Sequence, residues 1–426
     1  MLVLSLRRMG ACVCSALLVA SVHAQQGLAG SGESIALPDA LERTLARSPE
    51  LIAFDYQIAA AEGRLRQARL APNPELNATV EDVLGSGSLT GLDSAETTVT
   101  LGWILERGLR QRIVDAAQAG VSLRGADAEV LRLDAAAETA RRFIDCLAQQ
   151  ARIETTARAV QLAEETVTAV QGRVAAGLAP EAELSRAEAE LARAELARED
   201  VEHELSSAYR RLSAQWGDTE PDFGAVSGEL RALPRGEPFE ALLSRLERNP
   251  ELARFATQQR LDEAEVRLAE ARSRPSWRIS GGIRRFEGIG DHGLVAGITV
   301  PLPIRDRNQG RVMEARAELA RTEAEATAAR VGIETALFTL YQEFQHDLHV
   351  AMRLGEDVIP RIESALADTR RAYELGRYSY YEWRTVQAEL LQASNDLLDV
   401  TIDAHRIVIE IERLTGARFA LPSAAQ

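Results

Sequence analysis

Lysine is missing from this chain altogether: every strong base among its 49 basic residues is arginine. Coding bias produces such a pattern without any function behind it, so that absence excludes nothing. The shortage of positive charge does. With 64 acidic residues the formal net charge is −15, which argues against non-specific binding to nucleic acid, whose phosphates demand a basic face. Cysteine is scarce too. Cys12 and Cys14 fall in the first few residues and only Cys146 follows, so loss of the leader leaves no intramolecular disulfide. Beyond the leader no apolar run approaches the roughly 20 residues of a spanning helix, so any entry into a membrane is made without spanning helices.

That leader is itself informative. Arg7 and Arg8 form a positive n-region, Ala11 to Ala20 an apolar run, and Val22-His23-Ala24 a small-residue cleavage site. The spacing predicts a secretory signal peptide over residues 1–24 and an exported protein. A membrane anchor would need a longer run, and Val13 before Cys14 and the early position of Cys12 give neither cysteine a lipidation context. Catalytic chemistry finds little support: five histidines follow the leader, with no glycine-rich phosphate loop and no Ser/His/Asp arrangement that stands out. His346 and His349 have the i,i+3 spacing that could hold a metal on a helix. The same spacing fits a solvated helix face, and no catalytic, cofactor or metal residue is assigned.

What the chain does contain is a repeat. SPELIAFDYQIAAAEGRLRQARLAP (48–72) is echoed by NPELARFATQQRLDEAEVRLAEARSRP (249–275). WILERGLRQRIVDAAQA (103–119) is echoed by PLPIRDRNQGRVMEARA (301–317), and GLAPEAELSRAEAEL (177–191) by GRYSYYEWRTVQAEL (376–390). The order is kept, about two hundred residues apart, which marks a duplication rather than a solenoid of three or more stacked units. The first repeat is expected over 25–230 and the second over 231–426, each running helix, two strands, very long helix, turn, long helix.

The strands are expected near 75–84, 95–105, 276–286 and 293–301. In TTVTLGWIL, Val99, Leu101 and Trp103 alternate with Thr98, Thr100 and Gly102; in the second copy Trp277, Ile279 and Ile283 alternate with Arg278, Ser280 and Arg284. Strands of roughly 9–11 residues with one apolar and one polar face suit a membrane β-barrel. An amphipathic hairpin of a soluble domain has the same alternation. The helices distinguish the two. From Leu109 to about Val174 there is no proline, which at 1.5 Å per residue allows a helix on the order of 100 Å long. The second copy runs from Asn308 to about Leu375, with Pro360 expected to kink or locally break it. After Gly376 a sustained three-four spacing (Trp383, Val386, Leu390, Ala393, Leu397, Val400) calls for a coiled-coil partner. Gly177 and Gly376 then read as helix C-caps at the hairpin tips, near 173–182 and 372–381, with Pro180 in the first turn of the returning helix. Four strands cannot close a barrel, an open sheet edge is forbidden in lipid, and the smallest membrane barrels have about eight strands. Membrane insertion therefore implies an oligomer with one shared barrel.

This organisation, carried by ARLAPNPELNATVED, TLGWILERGLRQR, ITVPLPIRDRNQGRV and the two G-x5-E phrases, resembles the TolC family of outer-membrane efflux channels and more closely its cobalt–zinc–cadmium (CzcC-like) branch. The resemblance covers essentially the whole chain after the leader. It implies a mainly α fold with a membrane β-barrel, in which a homotrimer forms a twelve-stranded barrel, four strands per protomer, and a long periplasmic α-helical barrel. It implies as partners a periplasmic membrane-fusion (adaptor) protein and an inner-membrane RND transporter, and as cargo divalent heavy-metal cations. Two alternatives are an outer-membrane channel for drugs, organic compounds or type I secretion, and a soluble periplasmic coiled-coil adaptor. On the channel reading, Val99, Leu101, Trp103, Trp277, Ile279 and Ile298 face lipid, Thr98, Thr100, Ser280 and Thr299 face the lumen, and loops 85–94 and 287–292 lie outside the cell. Gly177, Ala179, Gly376 and Ser379 are candidates for docking the adaptor. Glu183 and Glu382, at matching places in the two copies, are pore or gate candidates: threefold symmetry would make each a ring of carboxylates, and such rings favour cations. Arg186 and Arg384 are the nearby bases expected to offset their repulsion. A lone glutamate near a helix start also needs no function beyond meeting the helix dipole.

Overall fold

The computed structural model describes residues 33–417, except residue 107, together with residue 419. The leader and its two cysteines lie outside the described residues. The chain opens with a short strand β1 (Ser34–Ala36), helix α1 (Leu37–Arg47) and helix α2 (Pro49–Arg69). Strands β2 (Glu75–Glu81) and β3 (Glu96–Leu105) lead into α3 (Leu109–Ala175), which turns back as α4 (Glu181–Ser213). After β4 (Ala225–Ser227) and α5 (Phe239–Arg245) the pattern is written again: α6 (Pro250–Arg272), β5 (Trp277–Phe286), β6 (Asp291–Thr299), α7 (Gln309–Arg353), a π-turn (Leu354–Val358), α8 (Ile359–Glu374) and α9 (Tyr380–Thr415).

The repeat extends to turn geometry. Both long helices start from a residue in the left-handed region, Gly108 (φ 76°) and Asn308 (φ 59°), where the chain swings from strand to helix. Asn308 tolerates this conformation because its side-chain amide donates to the Ala269 carbonyl at the end of α6 (2.7 Å). Helix α3 is unbroken for 67 residues, which makes it about 100 Å long. Pro360 does not break its counterpart. The proline lacks an N–H and its ring crowds the preceding turn, and the helix absorbs both by widening. The Ile359 N–H donates to Leu354, five residues back, and the helical path resumes as α8. Pro180 sits at the N-cap of α4 rather than inside its first turn.

Two other expectations shift. Strand β2 stops at Glu81 because Asp82 and Leu84 take positive φ (58° and 56°), while β6 begins two residues earlier than expected, at Asp291. Helix α1 and the parallel pair β1–β4 were not foreseen. They cap a core of Phe143, Ile144, Leu212 and Trp216, where Gln150 accepts from the Val226 N–H (3.0 Å) and donates to its carbonyl (3.2 Å). His405 is buried beside this core with Nε2 2.8 Å from the Leu230 carbonyl, and burial lowers its pKa, so it is a neutral structural histidine. Burial pushes the Cys146 thiol up to about 12, which leaves it inert.

Candidate functional site

The four long strands form one sheet in the order β2-β3-β5-β6, antiparallel throughout. Among the described residues, the hairpin of each repeat is therefore joined to the other only through β3 and β5. Register decides what each face carries. Val99 lies opposite Ile283, Trp103 opposite Ile279, Leu105 opposite Trp277, and Ile279 opposite Ile298. With Leu76 opposite Leu101, one face carries an apolar band across all four strands, and only toward the loop end does it turn polar, at Thr97, Arg285 and His292. The other face is mainly polar: it holds Glu75, Asn77, Thr79, Glu81, Glu96, Thr98, Thr100, Arg278, Ser280, Arg284, Asp291 and Thr299, together with four glycines and the apolar Ile104, Phe286 and Val295. The six residues expected on the lipid side and the four expected on the lumen side fall on opposite faces, without exception.

Exposure is inverted relative to a water-soluble sheet. On the central strand β3 the apolar Val99, Leu101, Trp103 and Leu105 are 43%, 37%, 43% and 44% exposed, whereas Thr98 on the polar face is 7% exposed. No helix among the described residues is long and apolar enough to cross a membrane. The sheet is the element dressed for lipid.

At the opposite end of the long helices lie the two tips, built alike. The Leu178 N–H donates to Arg173 (2.8 Å) and the Gly177 N–H to Val174 (2.9 Å); the Arg377 N–H donates to Ala372 (2.8 Å) and the Gly376 N–H to Tyr373 (2.9 Å). These are two Schellman caps, each with its glycine in the left-handed region at φ 70° and 73°. Beneath them the hairpins are packed together by Val170, Ala187, Tyr373, Tyr380 and Trp383, with the Tyr373 and Trp383 rings stacked 5.1 Å apart. Arg173 ties the tips: it donates to the Tyr373 carbonyl (2.7 Å), the Glu374 carbonyl (3.2 Å) and the Leu178 carbonyl (3.2 Å), with its guanidinium 4.8 Å from the Tyr373 ring. Ala179 and Ser379 lie beside the caps, and Leu178, Leu375, Tyr378 and Tyr381 form an exposed apolar crown.

The two glutamates occupy the same position, the third residue of the returning helix, but their surroundings differ. Glu382 belongs to a capping box. It accepts from the Ser379 N–H (2.7 Å) and hydroxyl (2.9 Å), and its own N–H donates to the Ser379 oxygen (3.4 Å). Those two donors hold its carboxyl below the usual carboxylate range. Pro180 offers Glu183 neither hydroxyl nor N–H, and that carboxylate accepts instead from the Tyr373 hydroxyl (3.2 Å). Burial and the Glu183 charge push that phenol up to about 12. Arg384 does not offset Glu382 as expected. It pairs with Glu190 on α4 (2.8 Å). His346 and His349 are both exposed, and no group of three or more metal-ligating side chains occurs among the described residues. Arg173, Tyr373 and Trp383 were not singled out from sequence; the only signal was that Trp383 opens the coiled-coil spacing.

A sheet with lipid-type and lumen-type faces, attached to coiled-coil hairpins with matched tips, defines one subunit of a membrane channel with a helical extension. The chain belongs to the outer membrane efflux protein family, which it matches over residues 40–218 and 242–417. It is 29% identical over 384 residues to the cobalt-zinc-cadmium resistance protein CzcC of Cupriavidus metallidurans, covering 90% of each chain. To the nickel-cobalt-cadmium resistance protein NccC of Alcaligenes xylosoxydans it is 26% identical over 298 residues, covering 68% of this chain and 67% of that one. Among solved structures, the outer membrane protein VceC of Vibrio cholerae shares the fold with a TM-score of 0.73 at 20% identity, over 90% of this chain and 97% of that one. CusC does so with a TM-score of 0.66 at 16% identity, over 93% and 96%. The protein is thus an outer-membrane channel whose long helices extend into the periplasm.

Proposed function

We propose that three copies of the four-stranded sheet close a twelve-stranded barrel, and that the trimer is the passive exit duct of a tripartite efflux system for divalent heavy-metal cations of the cobalt, zinc and cadmium type. The observation that carries the channel is the inverted exposure of the sheet, which makes sense with lipid on one side and a watery lumen on the other. Loops 82–95 and 287–290 then lie outside the cell, since the helices leave from the other strand ends. The cargo rests on the similarity to CzcC and NccC, named for resistance to those metals. Only Met313 and Met352 follow the leader, so no methionine ladder of the kind soft Cu(I) prefers supports a copper cargo. No enzymatic step is involved; an RND transporter in the inner membrane supplies selection and energy. Deleting the gene should raise sensitivity to zinc, cobalt or cadmium while tolerance to organic compounds stays unchanged. Sensitivity to organic compounds alone overturns the cargo, and release of the protein by osmotic shock without detergent overturns the channel.

The tips are the docking surface for the adaptor on this proposal, with the exposed crown of Leu178, Leu375, Tyr378 and Tyr381 offering apolar contact around Gly177, Ala179, Gly376 and Ser379. Cysteines at Ala179 and Ser379 are expected to cross-link to the adaptor; silence at both positions in an otherwise assembled complex rejects the contact. The two pore candidates are held differently: Glu382 is exposed but takes two donors from Ser379 in starting α9, while Glu183 is half-buried and takes only the longer bond from the Tyr373 hydroxyl, which leaves its charge the less neutralised. Block of the channel by a trivalent cation from the periplasmic side should weaken in Glu183→Gln more than in Glu382→Gln, and unchanged block in both leaves no carboxylate ring at the mouth.

A further inference from the structure

Two arginines lie across the polar face of the sheet like straps. Both come from β5, pass over β3 and reach β2. Arg278 takes Glu75 with both of its terminal nitrogens (3.1 and 3.4 Å), and no side chain at Gly102 stands between them. Arg284, near the loop end, makes three contacts: Nη1 with Glu96 (2.8 Å), Nε with the Thr98 hydroxyl (2.9 Å) and Nη2 with Glu81 (3.4 Å). Register explains why a base is needed there. Glu81 and Glu96 are directly opposed on β2 and β3, and like charges facing each other across a ladder are destabilising. The same row continues through Phe286 to Asp291 on β6. One arginine therefore serves two opposed carboxylates, with a third acid on the row.

The geometry points to Arg284 as the residue that sets charge selectivity at the outer mouth of the barrel: it neutralises one of the acids on this row and leaves the remainder to favour cations. The assignment rests on the polar face being the lumen. In the trimer the row becomes a belt of carboxylates in which three arginines are the tuning charges, and belts of one sign select ions of the other. Arg284 is also tied on all sides, so its charge stays on the wall instead of swinging into the path.

The test is the reversal potential of purified trimers in planar bilayers under a potassium chloride gradient. Arg284→Gln should raise the cation-to-anion permeability ratio about fivefold, because three unit charges about one Debye length from the axis at 0.1 M salt change the cation and anion terms about twofold each, in opposite directions. Glu96→Gln should lower the ratio, and Arg284→Lys, which keeps the charge but loses the fork, should leave it unchanged. An unchanged ratio in Arg284→Gln and Glu96→Gln overturns the proposal, even where trimer stability falls, and leaves Arg284 as a strap alone. Where Arg284→Gln forms no trimers, Glu96→Gln decides. The lumen itself is checked separately. Thr100→Cys should react with a charged thiol reagent from the aqueous phase and Leu101→Cys should not, with Cys146 buried and silent. Failure there defeats the channel geometry; a correct pattern there with no shift in selectivity defeats only the role of Arg284.

Discussion

Gly282→Ala is expected to abolish the assembled trimer, while Gly281→Ala, one residue away, leaves it intact. A β-carbon at Gly282 would overlap the Val99 carbonyl oxygen and stand 2.7 Å from both the Thr100 Cα and its Cγ2. Two of the three obstacles are backbone atoms of β3 and cannot swing aside. At Gly281 no atom lies within 4 Å of the same added carbon. Overpacking a fitted site costs roughly 1–3 kcal/mol, and more where backbone has to move. The site also has no substitute, because among the described residues β3–β5 is the only ladder joining the hairpins of the two repeats. Loss of that ladder leaves two separate hairpins and no stave. Outer-membrane fractions run without heating distinguish the variants by their trimer band. A wild-type band in Gly282→Ala would mean that β3 and β5 can pair differently from the register described here.

The second large effect is a contrast between neighbours in β3. Leu101 and Thr100 both sit in the middle of a ten-residue strand and point to opposite faces. Arginine on the lipid side at mid-membrane costs about 2–4 kcal/mol per copy, and a trimer carries that cost three times. On the lumen side the guanidinium stays in water and can join the carboxylates on that face. Leu101→Arg should therefore dissociate at a far lower temperature than wild type, and Thr100→Arg close to it. Equal losses would show the faces to be misassigned.

Much of this was legible in the sequence, for reasons specific to each element. The alternation of Val99, Leu101 and Trp103 with Thr98 and Thr100 is a period-two signal long enough to rise above chance. The proline-free stretch after Leu109 and the spacing after Gly376 announced the helices. The glycines of the tips showed because only a residue without a β-carbon fits a Schellman cap cheaply. The parallel pair β1–β4 did not show, since three residues per strand carry no period. Helix α1 was hidden by its brevity. The knot of Arg173, Tyr373 and Trp383 was invisible for another reason: its partners lie about two hundred residues apart and meet only when two hairpins pack side by side. The demand at Gly282 was equally hidden, because it arises from the approach of a strand in the other repeat. Pattern reports what a segment does alone, and these contacts belong to pairs of segments.

A position written twice need not be used twice. Both copies of the unit place a glutamate third in the returning helix, where a carboxylate can either complete the helix start or reach a neighbouring group. With two copies the demands are divided. Ser379 keeps Glu382 in helix initiation, so that duty is covered once. Pro180, already fixed in backbone and offering no donor, releases Glu183 to a tyrosine on the neighbouring hairpin. Redundancy of this kind widens what mutation can explore: the Pro180 copy is free to change charge, size or partner at that position without unmaking the start of its helix.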